Sequence, residues 1–191
     1  MDVMTCTIHD VSFALSMTRR FHKNPYNKLD VKCYIDTGHQ TNRDSTRSQS
    51  GYGFFINGGA VAWRSSTQNT IAMLSTEYIV VSEAAKLAVW MRKYFKGLVV
   101  VSSIEYPIKM YCDNSSSILL VNEPLTQRVN QLILRKYAYI NEMVERNDVE
   151  VVKVHTDDNI ADPLTKASPR EKHDMHANRM GICDVDELCE V

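Results

Sequence analysis

The chain has 191 residues, enough for one packed domain with further segments. Hydrophobic residues make up 44%, charged residues 24%, and the formal net charge is −1. These are ordinary values for a soluble globular protein. They count against a strongly basic nucleic-acid binder, whose affinity comes mainly from neutralising phosphates, but leave room for a local basic patch. The 5 cysteines are odd in number, scattered and without a CxxC pair, so neither a disulfide framework nor a zinc ribbon is indicated. They read as reduced thiols of an intracellular protein. The N-terminus lacks the basic-then-apolar layout of a signal peptide. The most apolar stretch, 97–104, is too short to span a bilayer.

In chain order, residues 1–30 stand apart. "DVSFALSMTRRF" has helical spacing, with Val11, Ala14, Leu15 and Thr18 on one face, and Pro25 breaks it. "VKCYI" (31–35) alternates and is rich in β-formers, so it predicts a strand ending at Asp36. After a polar loop, "GYGFFIN" and "AVAWRSS" flank Gly58 and Gly59 and predict a hairpin. A long helix is predicted from Leu74 to Phe95, with Leu74, Val81, Ala84, Ala85, Ala88 and Met91 as its buried stripe. "IKMYC" (108–112) predicts a strand and "SSSILLV" a short helix. Gln131 to Arg146 predicts a second long helix, with Leu132, Leu134, Tyr137, Ile140 and Val144 apolar. "VEVVKV" (149–154) predicts a strand, "DPLTKAS" a helix start, and the polar tail from Pro169 a short helix. Hairpin-joined strands followed by strands alternating with helices predict an α/β fold. Its five-stranded mixed sheet has three antiparallel strands, then two parallel, flanked by helices. That order is the one of the ribonuclease H-like fold.

Acidic residues stand at unusual places. Asp36 ends the first strand and Asp113, in "PIKMYCDNSSS", ends the fourth; Asp162 precedes Pro163 at a helix start. Glu77 lies in the apolar stripe of the long helix, where a charge is costly unless satisfied. Each also has a structural reading. Asp113 and Asp162 suit helix N-caps, Asp36 can open a turn, and Glu77 can reach water from the edge of its stripe. If the first and fourth strands are neighbours, however, Asp36 and Asp113 end side by side, and Glu77 and Asp162 can join them from flanking helices. Such a cluster needs a cation, and hard oxygen ligands suit Mg²⁺ or Mn²⁺. A pair of ions about 3.5–4 Å apart activates water and stabilises a leaving oxygen in phosphodiester cleavage.

The stretches "RSQSGYGFFINGGAVAWRSS", "EYIVVSEAAKLAVWMRK", "PIKMYCDNSSSILLV", "LILRKYAYI" and "DDNIADPLTKA" resemble the C-terminal end of the Pol polyprotein of copia-type LTR retrotransposons, especially plant elements. They cover most of residues 31–167 in the family's order. The resemblance implies a ribonuclease H domain that cuts the RNA strand of RNA/DNA hybrids with two Mg²⁺ (or Mn²⁺) ions. It places the family's acids on Asp36, Glu77, Asp113 and Asp162 as catalytic metal ligands. Glu77 would also sense the ribose 2′-OH, the group that separates RNA from DNA. "MTCTIHDVSFALSMTRRFHKNP" resembles the end of the reverse transcriptase region. The implied organisation is therefore a reverse transcriptase remnant at 1–30, a ribonuclease H-like domain at 31–167 and a tail at 168–191. A polymerase domain is an implied partner, no membrane is involved, and the implied location is cytoplasmic, in a virus-like particle, or nuclear.

The chain also departs from the family. "MLSTEY" is shorter than the usual run before the glutamate, and Asn130, Gln131 and Leu132 stand where a basic stretch is expected. Ala138 replaces a histidine, and Gly38 a polar residue. These changes fit an alternative: a degenerate, non-catalytic ribonuclease H-like relic. His155 is too close to Asp162 for the loop histidine of cellular ribonucleases H. His173 and His176 share one helical turn without clear further ligands, which predicts a solvated surface. Arg43, Arg47, Arg64, Lys166 and Arg170 are candidates for a phosphate path. Trp63 and Trp90 are expected in packing.

Overall fold

The structure, a computed structural model, describes residues 29–38, 48–68, 73–97, 107–115 and 131–181, with side chains from Tyr78 and Arg135 onward in the two long helices. The elements in chain order are β1 (Val31–Gly38), β2 (Gln49–Ile56), β3 (Gly59–Thr67), α1 (Met73–Gly97), β4 (Ile108–Cys112), α2 (Gln131–Glu145), β5 (Val149–Lys153) and α3 (Arg170–Arg179). Single 3-10 turns lie at Thr156–Asp158 and Asp162–Leu164. The predicted helices around residues 11–18 and after Asp113, and the side chains of Leu74, Leu132 and Leu134, lie outside the described residues. So do Arg43, Arg47 and Asn130.

The strands form one five-stranded sheet in the order β3-β2-β1-β4-β5. The β1–β2 and β2–β3 pairs are antiparallel, and β1–β4 and β4–β5 are parallel. This is the mixed sheet expected from the order of elements. Val31, Cys33 and Ile35 of β1 are buried while Lys32 and Tyr34 are half-exposed, the alternation of a strand with two unlike faces. Asp36 breaks that pattern by being buried as well, and β1 runs on past it to Gly38.

The hairpin turns on Asn57 and Gly58, not on Gly58 and Gly59. Asn57 (φ 49°) and Gly58 (φ 84°) both take the left-handed conformation of a type I′ turn, and Gly59 already pairs with Ile56 as the first residue of β3. Asn57 also exchanges hydrogen bonds with Asp30: its N–H donates to Asp30 O (3.0 Å) and its Oδ1 accepts from Asp30 N (3.1 Å).

The predicted stripe of α1 is buried from Val81 through Ala84, Ala85 and Ala88 to Met91, and it packs on β1 and β2. Ile140 and Met143 of α2 complete the core against α1, with Tyr137 and Val144 packed at its edge. Three expectations fail. "DPLTKAS" makes only a 3-10 turn, because Asn159 and Thr165 on either side of it are drawn into buried hydrogen bonds to β1. Trp63 and Trp90 are 53% and 51% exposed: Trp63 is on the edge strand β3, and Trp90 projects away from the buried Met91 beside it. His176 is fully buried rather than solvated, while His173 is exposed as expected. No described helix is long and apolar enough to cross a membrane.

Candidate active site

β1 and β4 pair in parallel with Tyr34 opposite Tyr111 and Ile35 opposite Cys112. Asp36 and Asp113 follow next on their strands, so both carboxylates emerge at the same end of the sheet. Asp36 is buried, and Asp113 is half-buried at the point where β4 ends. Asp162 arrives from the other end of the chain. Its turn is tied to β1 by Asn159, which is fully buried: Nδ2 donates to Ile35 O (2.9 Å) and Oδ1 accepts from Ala161 N (3.2 Å). Thr165, at the end of the same turn, donates its hydroxyl to Asp36 Oδ2. Ser65 on β3 donates to Leu164 O (2.6 Å) and closes the turn against the sheet.

This approach requires a glycine on β2. Gly51 pairs with Asp36, and a Cβ built at Gly51 would lie 2.6 Å from Leu164 Cβ and 3.2 Å from Thr165 Cγ2. A side chain there would push the turn, and Asp162 with it, off the sheet. Asp162 occupies the first position of the turn ahead of Pro163, but the cap is Ala161 and makes no side-chain bond. The capping reading of Asp162 therefore does not hold. Its carboxylate instead meets two ammonium groups: Lys166 Nζ at 2.5 Å from Oδ1 and Lys172 Nζ at 3.4 Å from Oδ2.

The electrostatics join these residues into one site. Burial pushes the Asp36 carboxyl above the usual range; the charges of Asp113 and Asp162 push the same way, and the Thr165 hydroxyl and Lys166 oppose them. Burial alone would lower Lys166, but its bond to Asp162 and the charges of Asp36, Asp162 and Asp113 raise it. All three carboxylates act on the Lys166 ammonium, and Lys172 adds a second cation at Asp162. His176 lies behind Asp162. Neither ring nitrogen has a hydrogen-bond partner, and burial holds its pKa below 6.5 against the pull of Asp162.

Glu77 falls in the second turn of α1; its side chain lies outside the described residues. Carboxylate oxygens are the donors that hard divalent cations prefer, and Asp36, Asp113 and Asp162 set three acidic groups against the Lys166 and Lys172 ammonium groups at Asp162. Among the described residues, no three acid, thiol or imidazole groups stand close enough together to hold an ion, and the Lys166 ammonium sits against Asp162. Asn159 and Thr165 had no signal in the sequence: a polar residue in a polar loop looks the same whether or not a strand lies beneath it. His155 is exposed and contacts Asp157 (3.6 Å). Arg64 is exposed and pairs with Glu83 (3.4 Å), and Arg170 with Asp174 (3.8 Å).

No family model matches the chain. The Pol polyprotein from transposon TNT 1-94 of Nicotiana tabacum is 29% identical over 210 residues, which cover 95% of this chain. That from transposon RE2 of Arabidopsis thaliana is 26% identical over 165 residues, or 85% of the chain. The chain is homologous to the Pol polyproteins of plant copia-type transposons. It spans 16% and 11% of the length of these two relatives. Among solved structures, the N-terminal RNase H domain of rv2228c from Mycobacterium tuberculosis covers 79% of this Pol-related chain with a TM-score of 0.53 at 13% identity, matched over 98% of its own length. LC11-RNase H1, solved in complex with an RNA/DNA hybrid, covers 71% with a TM-score of 0.52 at 15% identity, over 93% of its own length. The fold is that of ribonuclease H.

Proposed function

We propose that the chain is a metal-dependent ribonuclease H module that hydrolyses the RNA strand of RNA/DNA hybrids during retrotransposon reverse transcription. The observation that supports it best is the parallel pairing of β1 with β4, which brings Asp36 and Asp113 to one sheet end beside the turn of Asp162. The hybrid as substrate is supported by the fold neighbour solved with one bound. In this reading the module works beside a polymerase domain of the same polyprotein, in the cytoplasm within a virus-like particle or in the nucleus.

Asp36, Glu77, Asp113 and Asp162 would hold Mg²⁺ or Mn²⁺, two ions in all. Bound ions supply a nucleophilic water at neutral pH and neutralise charge on the departing oxygen. The chain's own residues prepare the site. Thr165 and Asn159 hold the Asp162 turn against β1. Burial keeps Asp36 short of counter-charge, so that it favours a cation. Lys166, on a flexible stem, can exchange Asp162 for a substrate phosphate.

A second reading, a folded relic without activity, is favoured by the Lys166–Asp162 pair and by the open spacing of the described acids. The deciding measurement is cleavage of a labelled RNA/DNA hybrid with Mg²⁺ or Mn²⁺ by wild type and Asp113→Asn. The expected result is cleavage by wild type and a loss of about 100-fold or more in the variant. Equal activity in both, or none in either, sinks the enzyme reading. A melting temperature unmoved by Mn²⁺ in a chain that does not cut supports the relic, since a ligand of the native state stabilises it.

A further inference from the structure

The C-terminal half of α1 carries features that the carboxylate site does not use. Between it and α2 lies a groove of about 550 Å³. Arg92, Lys93, Lys96 and Arg146 line it against only two acids, Glu142 and Asp148. Arg92 is committed to the buried Asp148, and Arg146 to Glu142 (2.5 Å). Lys93 and Lys96 are exposed and have no acidic partner among the described residues. The surplus is positive on a chain of net charge −1. Further along the helices Lys86 lies over the Tyr139 ring (5.8 Å), and Lys136 stands near both Glu83 and Lys86, so the surplus of positive charge is confined to the Lys93–Lys96 end.

Beside these cations on α1, Trp90 and Tyr94 stack on each other, with ring centroids 5.3 Å apart and planes at 14°. Both stay exposed, at 51% and 42%. Trp90 is roughly 20 Å along the helix from Glu77, at about 1.5 Å per residue, so this surface is distinct from the carboxylate cluster.

We propose that this end of α1 binds a single strand of nucleic acid. Its phosphates lie along Lys93 and Lys96 at the mouth of the groove, and a base stacks on the Trp90–Tyr94 shelf. A basic track with adjoining aromatic faces is how single strands are held without sequence preference. A duplex keeps its base faces stacked inside and cannot use the shelf. An acidic peptide would use the lysines and leave the aromatic pair without a role. The proposal does not require the carboxylate site to cut.

The test is fluorescence anisotropy of a dye-labelled oligothymidylate with the full chain in EDTA, over a salt series. Lys93→Glu/Lys96→Glu is expected to weaken binding at least tenfold and to flatten the log–log salt slope by about 1.4, two phosphate contacts' worth for a single strand. Trp90→Ala is expected to weaken it about five- to hundredfold with the salt slope unchanged. These side chains are exposed, and melting curves that match wild type confirm that the variants are folded; should the double charge reversal melt early, Lys93→Ala/Lys96→Ala replaces it. Wild-type affinity in the folded variants, or no binding by wild type, overturns the proposal. So does equal affinity for a blunt duplex of the same length, or binding of a polyglutamate peptide in place of the oligonucleotide.

Discussion

Thr165 donates its hydroxyl to the Asp36 carboxylate, joining two buried side chains 129 residues apart in the sequence. The bond fastens the turn that carries Asp162 to the strand that carries Asp36. Thr165→Val keeps the shape and removes the donor from a buried charge. The expected cost is about 1–3 kcal/mol at pH 7, measured by urea denaturation. Thr165→Ser, which keeps the hydroxyl, is expected to retain most of that stability.

Asp36 itself burdens the fold at neutral pH. Its folded pKa lies above the ordinary 3.8, so the folded chain binds the proton more tightly than the unfolded one. Stability is therefore highest below about pH 3.8 with respect to this group and falls as pH rises through the raised folded value. Asp36→Asn removes that loss. Its melting temperature in EDTA is expected to exceed wild type at pH 7, with the difference vanishing towards pH 3.8. A variant less stable than wild type at pH 7 contradicts this account of the site's charge.

Gly51 is required by the close approach of Leu164. Gly51→Ala puts a methyl 2.6 Å from Leu164 Cβ, which no rotamer relieves. The expected cost is about 1–3 kcal/mol, the usual range for an overpacked site. Because the displaced turn carries Asp162, any hybrid cleavage is expected to fall further than the stability loss explains, as activity measured well below the melting temperature would show.

His176 titrates in the opposite sense to Asp36. Burial, Lys172 and Arg179 lower its folded pKa below 6.5, and Asp162 and Asp157 oppose them only in part. The neutral ring's stability is fully present above pH 6.5 and is lost as pH falls through the lowered folded value. His176→Leu is expected to be neutral or stabilising at pH 7.5, since it removes two unpartnered buried nitrogens. It should also flatten the stability profile below pH 6.5, read by denaturation at a series of pH values.

The fold was largely legible in the residues because its signals are local. The alternation in "VKCYI", the long apolar stripe from Val81 to Met91 and the order of strands and helices each depend on neighbours within a few turns. The hairpin turns one residue before the Gly58–Gly59 pair because Asn57 also tolerates the left-handed conformation. Trp63 and Trp90 are exposed although aromatic residues usually serve packing, because nothing local says which side of α1 or β3 meets solvent.

The element order, Asp113 at the end of β4 and Asp162 ahead of a proline are all written in local stretches of residues, whereas β1 runs two residues beyond the end expected at Asp36. That β1 lies beside β4, that Gly51 leaves room for the Leu164 turn and that Lys166 stands among the acids follow from long-range packing. The enclosure of His176 has the same origin. The physical reason is that burial and charge at a polar side chain depend on what packs over it. Here that cover is supplied from more than a hundred residues away, as with Thr165 on Asp36.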